Sequence, residues 1–352
     1  MNELNHWHPV LLSKALKQKP VGIKLCGREI ALFRTKNGEI GAIEDICPHR
    51  KMRLSKGWVE GKKLVCPYHG WNYEPNGTGS SPSNPNLKPC AKSFDVKDKH
   101  GLIWVKAAGS KANFPNLDFP NYHLVCALEH QVNAPLELLV DINGEIEHAG
   151  LGHTFFGHAL SQVSEVEVKF DFSDPEVTRI KEIMPQKPLP GVLEKLFTVS
   201  SSDRFIDEIE IHFSPVYKTS QLYWENQETG QRRKERLRSV YFFTPISENE
   251  TKWISLYYIT SPRWGMVIFN LLQKQVLKLI MNHEGNREKG VLECIADKHV
   301  EFEQMCLGRL DGSLVENRKR IQRIYRGQSQ GVPVRELSIN IVSSDLQTNA
   351  HA

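Results

Sequence analysis

The sequence predicts an α+β protein: a small, mostly β region followed by a larger antiparallel-sheet region carrying helices. Three observations carry this. Short apolar runs broken by turn signals fill residues 21–44, alternating apolar and polar segments recur between 163 and 260, and helical pattern dominates 264–326. The length of 352 residues suits two domains, which we expect at 1–112 and 113–352.

The first region opens with "VGIKLCG" and "IALFRTKNGEIGAI", with Asn37-Gly38 at a hairpin position. A Gly-, Pro-, Ser- and Asn-rich loop covers 74–90, and "GLIWV" (101–105) reads as a buried strand. Residues 106–122 look like a linker. Beyond it, "VSEVEVKFDF" (163–172), "FIDEIEIHF" (205–213), "SVYFFTPI" (239–246) and "WISLYYIT" (253–260) predict an antiparallel sheet with one face covered. The most apolar stretch, 264–283, contains Gln273, Lys274, Gln275 and Lys278, which a bilayer core does not accept. It reads as an amphipathic helix, with a pocket lid or a membrane-surface contact as lesser alternatives. There is no internal repeat.

Lys plus Arg (45) nearly balance Asp plus Glu (41), a formal charge of +4 that argues against a dedicated nucleic-acid binder. The opening "MNELNHWHPV" lacks the basic and apolar regions of a signal peptide, so a cytoplasmic protein is expected. Seven cysteines in a reducing compartment are read first as metal ligands.

Two short motifs concentrate the chemistry: "CPHRKM" at 47–52 and "CPYHGW" at 66–71. Cys47, His49, Cys66 and His69 can meet at the tip of a β structure. Zinc accepts such a set, but its structural sites usually pair like ligands. One Cys and one His per loop suits a [2Fe–2S] cluster in which two imidazoles replace two thiolates on one iron. The motifs resemble the C-x-H-R…C-x-x-H-G-W pattern of the Rieske non-heme iron oxygenases, and "GLIWV" extends the resemblance. It implies an all-β Rieske [2Fe–2S] domain with Cys47 and Cys66 on one iron and His49 and His69 on the other. Pro48, Pro67 and Gly70 then support the ligand loops, and Trp71 either shields the cluster or is ordinary core.

The resemblance also implies a helix-grip (START/SRPBCC-like) catalytic domain holding a mononuclear iron on two His and one carboxylate, with positions open for O2. "DINGEIEHAGLGHTFFGH" (141–158) has His148, His153 and His158 five apart. Five helical residues turn through ~500°, so two such imidazoles converge only where a helix distorts or ends, which Gly150 and Gly152 permit. The family's D-x-x-H-x4-H register falls on Glu145, His148 and His153, with Glu in place of Asp. His148 and His153 then bind iron, and Glu145 links it to a neighbouring subunit's cluster. Asp141 is the alternative link, His153 with His158 the alternative pair. The family's distal D-x3-[VIL]-E segment falls on "REKGVLECIADKHVEF" (287–302), placing the third ligand at Glu288, again Glu for Asp, with Glu293 as the downstream acid. Asp297 and Glu284 are rivals.

The implied activity is that of an oxygenase component using O2 and NAD(P)H electrons, delivered by a ferredoxin or reductase, to hydroxylate or oxidatively demethylate a small or mid-sized organic substrate. A C3 trimer or hexamer is implied as well. Arg50, Lys51, Arg53 and Lys56 make a positive rim where an acidic redox partner could dock. The pocket is expected to be mainly apolar, with Phe205, Phe213, Tyr223, Trp224, Phe242 and Tyr258 as candidates. Cys294 and Cys306 are too far apart for the C-x-x-C of the chlorophyll-catabolic branch. A competing class is an electron carrier or ligand binder whose mononuclear site the two Glu replacements have disabled; a zinc-stapled binding protein is the third.

Overall fold

The structure, a computed structural model, describes residues 2–200, 202–234, 236–260, 267–298 and 305–328. Ten strands occupy the first 107 residues: β1 (His8–Leu12), β2 (Val21–Leu25), β3 (Arg28–Arg34), β4 (Ile40–Glu44), β5 (Trp58–Glu60), β6 (Lys63–Val65), β7 (Asn72–Tyr73), β8 (Gly79–Ser80), β9 (Phe94–Lys99) and β10 (Leu102–Ala107). They form three small antiparallel sheets, ordered β1-β10-β9, β2-β3-β4 and β5-β6-β7-β8. The β3–β4 hairpin turns at Asn37-Gly38, where Gly38 takes φ +90° and its N–H closes the turn on the Thr35 carbonyl. The 74–90 segment, expected to be loop, also supplies β8 and a bridge from Thr78 to Cys90.

The second region runs β11 (His123–Val132), α1 (Leu136–Ile142), α2 (Ala149–Gly152), β12 (Glu167–Asp171), β13 (Val177–Pro185), α3 (Gly191–Phe197), β14 (Asp203–Phe213), β15 (Val216–Asn226), β16 (Leu237–Ser247), β17 (Glu250–Ile259), α4 (Val267–Glu293) and α5 (Leu314–Arg320). Its seven-stranded antiparallel sheet is ordered β11-β17-β16-β15-β14-β13-β12. The alternation in the sequence finds β14, β16 and β17 directly. The 163–172 segment starts late, because residues 160–165 form a 3-10 helix before β12. Strands β11, β13 and β15 escape that reading.

Both faces of the central strands are covered, which explains the near-continuous burial of Trp253 to Tyr258 in β17. On one face α4 packs on β11, with Leu277 and Met281 joining Leu128, Trp224 and Tyr257 in the core. On the other, Trp104 of β10 meets Phe242 of β16 edge-on at 5.0 Å, beside Trp7 and Leu117. Each such side chain contributes roughly 1.5–3 kcal/mol on burial. Helix α4 begins at Val267, so the first residues of the expected 264–283 helix lie outside the described residues, as does the end of 287–302. Among the described residues, no helix is long and apolar enough to cross a membrane.

Candidate metal centres

The first constellation sits on two loops of matching geometry, one after β4 and one between β6 and β7. In each, the cysteine N–H donates to the carbonyl five residues on: Cys47 to Met52 at 2.8 Å, Cys66 to Trp71 at 2.7 Å. Each cysteine carbonyl accepts from the residue four on, Lys51 (2.9 Å) or Gly70 (3.1 Å), and both of those take positive φ, +60° and +71°. This closes each loop into a tight turn and explains why a glycine follows His69. Cys47 and Cys66 are buried, whereas His49 and His69 are exposed, with ring centroids 4.6 Å apart. The Tyr73 hydroxyl lies 3.2 Å from Cys47 Sγ, and Trp71 stacks flat on His49 at 4.5 Å. Two inner sulfurs and two outer imidazoles are a donor set that suits a cluster with its imidazole edge at the surface. Of the rim cations, Arg50, Lys51 and Lys56 are exposed, while Arg53 is tied to Glu29 at 3.0 Å.

The second constellation forms where helix gives way to extended chain. His148 caps the start of α2 and His153, at φ −93° and ψ 144°, follows its end, so the two imidazoles bracket one helical turn and converge. Gly152 suits this close approach: a Cβ would stand 3.1 Å from His148 Cδ2, so the ring would have to shift by a few tenths of an ångström. His148 Nε2 lies 3.2 Å from His153 Nε2, which lies 2.9 Å from Glu288 Oε1, arriving from α4. Donor atoms of these three residues all fall within 4.8 Å of one another. Glu145 accepts from His148 Nδ1 at 2.6 Å and from the His148 backbone N–H at 3.2 Å. With the Nδ1 proton committed to Glu145, the Nε2 lone pair points at His153 and Glu288. Burial disfavours charge on both partners, yet their hydrogen bond outweighs it, holding the Glu145 carboxyl below its usual range and the His148 imidazole above its own. Glu288 is buried and likewise held low by His153. Two imidazole nitrogens and a carboxylate converging on one point are a donor set that fits a divalent ion.

The other candidates stand elsewhere. Asp141, on α1, is buried against Arg318, which donates to it at 3.0 Å through Nε. Glu284 accepts the Thr154 and Phe155 backbone N–H groups at 2.9 and 3.0 Å, Asp297 is exposed beyond α4, and Glu293 accepts from Asn133 N–H at 3.2 Å. His158 is fully buried and outside the convergent set.

A cavity of about 60 Å3 adjoins His148, His153 and Glu288, so a substrate of more than a few atoms enters only as the side chains around it move. Phe205 lines it; Phe213, Tyr223, Trp224, Phe242 and Tyr258 are core instead. The lining is apolar over most of its area, as the sequence leads one to expect, but polar side chains are set into it: Glu182, Asp207, Lys218, Ser220 and Ser239 all contribute. Sequence reasoning missed them, though a signal was present. Glu182 and Asp207 each occupy an inward position of an otherwise apolar alternation, between Ile180 and Met184 and between Phe205 and Ile209.

Residues 6–97 match the Rieske [2Fe-2S] domain family. The chain therefore contains a Rieske domain, and the proteins it resembles over longer stretches are named as a monooxygenase and a demethylase. It is 27% identical over 288 residues to 4beta-methylsterol monooxygenase of Methylococcus capsulatus, covering 73% of each chain. To the oxygenase component of dicamba O-demethylase from Stenotrophomonas maltophilia it is 32% identical over 164 residues, 42% of this chain and 47% of that one. A crystal structure of dicamba monooxygenase bound to 3,6-dichlorosalicylic acid superposes with TM-score 0.79 at 20% identity, over 93% of this chain and 98% of that one, a likeness of fold.

Proposed function

We propose that this chain is the oxygenase component of a Rieske-type monooxygenase that hydroxylates or oxidatively demethylates a small or mid-sized organic molecule, aromatic or cyclic. One observation carries the reading: the convergence of His148, His153 and Glu288 beside a cavity, with Glu145 orienting the first imidazole. Cys47, His49, Cys66 and His69 would hold a [2Fe–2S] cluster, and His148, His153 and Glu288 an Fe(II). When bound, the cluster supplies electrons singly and the iron a site for O2 activation. The residues do the rest. Glu145 fixes the His148 tautomer, the Tyr73 hydroxyl hydrogen-bonds at Cys47 Sγ, and the surrounding core excludes water. An electron carrier with a disabled second site is the weaker reading, because the longer Glu288 still brings its carboxylate within 2.9 Å of His153.

Residues 1–112 and 113–352 are taken as the cluster and catalytic units. The exposed imidazoles would meet a second copy of the chain near Glu145, in a C3 trimer or a hexamer of two such rings. Electrons would come from NAD(P)H through a reductase or ferredoxin docking at Arg50, Lys51 and Lys56, in the cytoplasm. Dicamba O-demethylase is likewise named for its oxygenase component, which supports a separate electron donor. The test is NADH- and O2-dependent conversion of methoxy, N-methyl and aromatic compounds with a reductase pair added. His148→Ala should abolish turnover and leave the cluster's visible spectrum intact; unchanged turnover would refute the site.

A further inference from the structure

Three adjacent strands turn polar side chains into the cavity where the alternation calls for apolar ones. On β13, Thr178, Ile180, Glu182 and Met184 are buried, and Glu182 stands directly across from Asp207 of β14. On β14, Asp207 lies between Phe205 and Ile209; on β15, Lys218 and Ser220 precede Leu222. Glu182 is 1% exposed and Asp207 6%, and Glu182 Oε2 and Asp207 Oδ1 have no hydrogen-bond partner among the described residues. A buried carboxylate oxygen without a hydrogen-bond partner is costly, and the two carboxyls that carry such oxygens face each other here. Burial pushes both carboxyls up, Glu182 well above its ordinary range, with repulsion from Asp207 adding to it against the pull of Lys218. Such a site persists where a ligand completes it.

The charges say which ligand. Lys218, whose ammonium lies 5.5 Å from the Tyr241 ring centroid, offsets one of the two carboxylates. The second carboxyl holds a proton, which a cation placed between the pair would displace. A ligand ammonium would supply that charge together with N–H donors for the two unpartnered oxygens. We infer that the cavity selects an organic substrate bearing a protonated amine, whose ammonium sits between Glu182 and Asp207 while the rest of the molecule faces His148 and His153. This rests on the oxygenase reading for its site and extends it to a substrate class. A carboxylate-bearing compound of the same size is repelled, and a neutral alcohol forgoes the ionic part of the interaction.

The test is isothermal titration of the full, iron-loaded chain with benzylammonium, benzyl alcohol and benzoate. Benzylammonium should bind at least tenfold tighter than benzoate, with the alcohol between. Glu182→Gln and Asp207→Asn should each cut that ratio about tenfold, while Lys218→Met should widen it, a reversal that a merely structural role would not produce. Benzoate binding as tightly as benzylammonium, no binding of any of the three, or a ratio unmoved by both carboxylate variants would overturn the inference. Iron content and the visible spectrum of the same samples report on the oxygenase reading separately, so either can fail alone.

Discussion

Replacing Glu145 separates the two acids that could serve the mononuclear site. Its carboxylate accepts from His148 Nδ1 at 2.6 Å and from the His148 N–H at 3.2 Å. Groups that orient a metal-bound imidazole typically contribute about 10–100-fold to metal affinity. Glu145→Ala removes both bonds and the charge, so Fe(II) affinity should fall by that factor. Glu145→Gln keeps an acceptor at Nδ1 but loses the ionic component, about 1 kcal/mol between a charge-assisted and a neutral hydrogen bond, or about fivefold. Asp141→Asn should leave iron affinity of the folded protein within about twofold, because Asp141 serves Arg318. The assay is competition for Fe(II) against a chromophoric chelator, with the cluster spectrum as a folding control. Retained affinity in Glu145→Ala, alongside a loss in Asp141→Asn, would refute the argument and return the link to Asp141.

Two further outcomes follow from the first region. Tyr73→Phe removes the hydroxyl 3.2 Å from Cys47 Sγ; hydrogen bonds to cluster sulfurs favour the reduced state, so the midpoint potential should drop by about 40 mV, the one-electron equivalent of about 1 kcal/mol, and an unchanged voltammetric midpoint would exclude that bond. His8 is fully buried, donates from Nε2 to the Glu3 carbonyl at 2.8 Å, leaves Nδ1 unpartnered, and is pulled by burial down to about 4 from 6.5. Because the folded value lies below the unfolded one, stability is full above pH 6.5 and drains away as pH falls towards 4. That amounts to about 2 kcal/mol by pH 5, and denaturant titrations in which His8→Gln shows the same loss would contradict it.

The cluster loops were legible because each ligand pair is local in sequence, held within five residues of a closing turn. The pair His148 and His153 was legible only as a conditional, that the helix must end between them; the extended backbone of His153 meets it. Glu288 lies 135 residues beyond His153, and no local rule selects it over Glu284: one helical turn decides which carboxylate faces the imidazoles and which caps the Thr154 and Phe155 amides. Strands β11 and β15 went unread for different reasons. β15 is buried on both faces over much of its length, which blurs the two-residue period of a half-covered strand, while β11 does alternate in burial but places His130 inward and Leu124 outward, against the polar-out pattern. The polar groups set into the cavity lining went unread because a charge inside an apolar alternation looks like an outward residue until the register is known.

The most direct test of the account is the iron content of the anaerobically reconstituted protein, paired with its Glu288→Ala variant. Three irons per chain in the native protein and two in the variant, with the same reduced-cluster paramagnetic signal in both, is the expected result. Two irons in each, or zinc in place of the cluster, would contradict it.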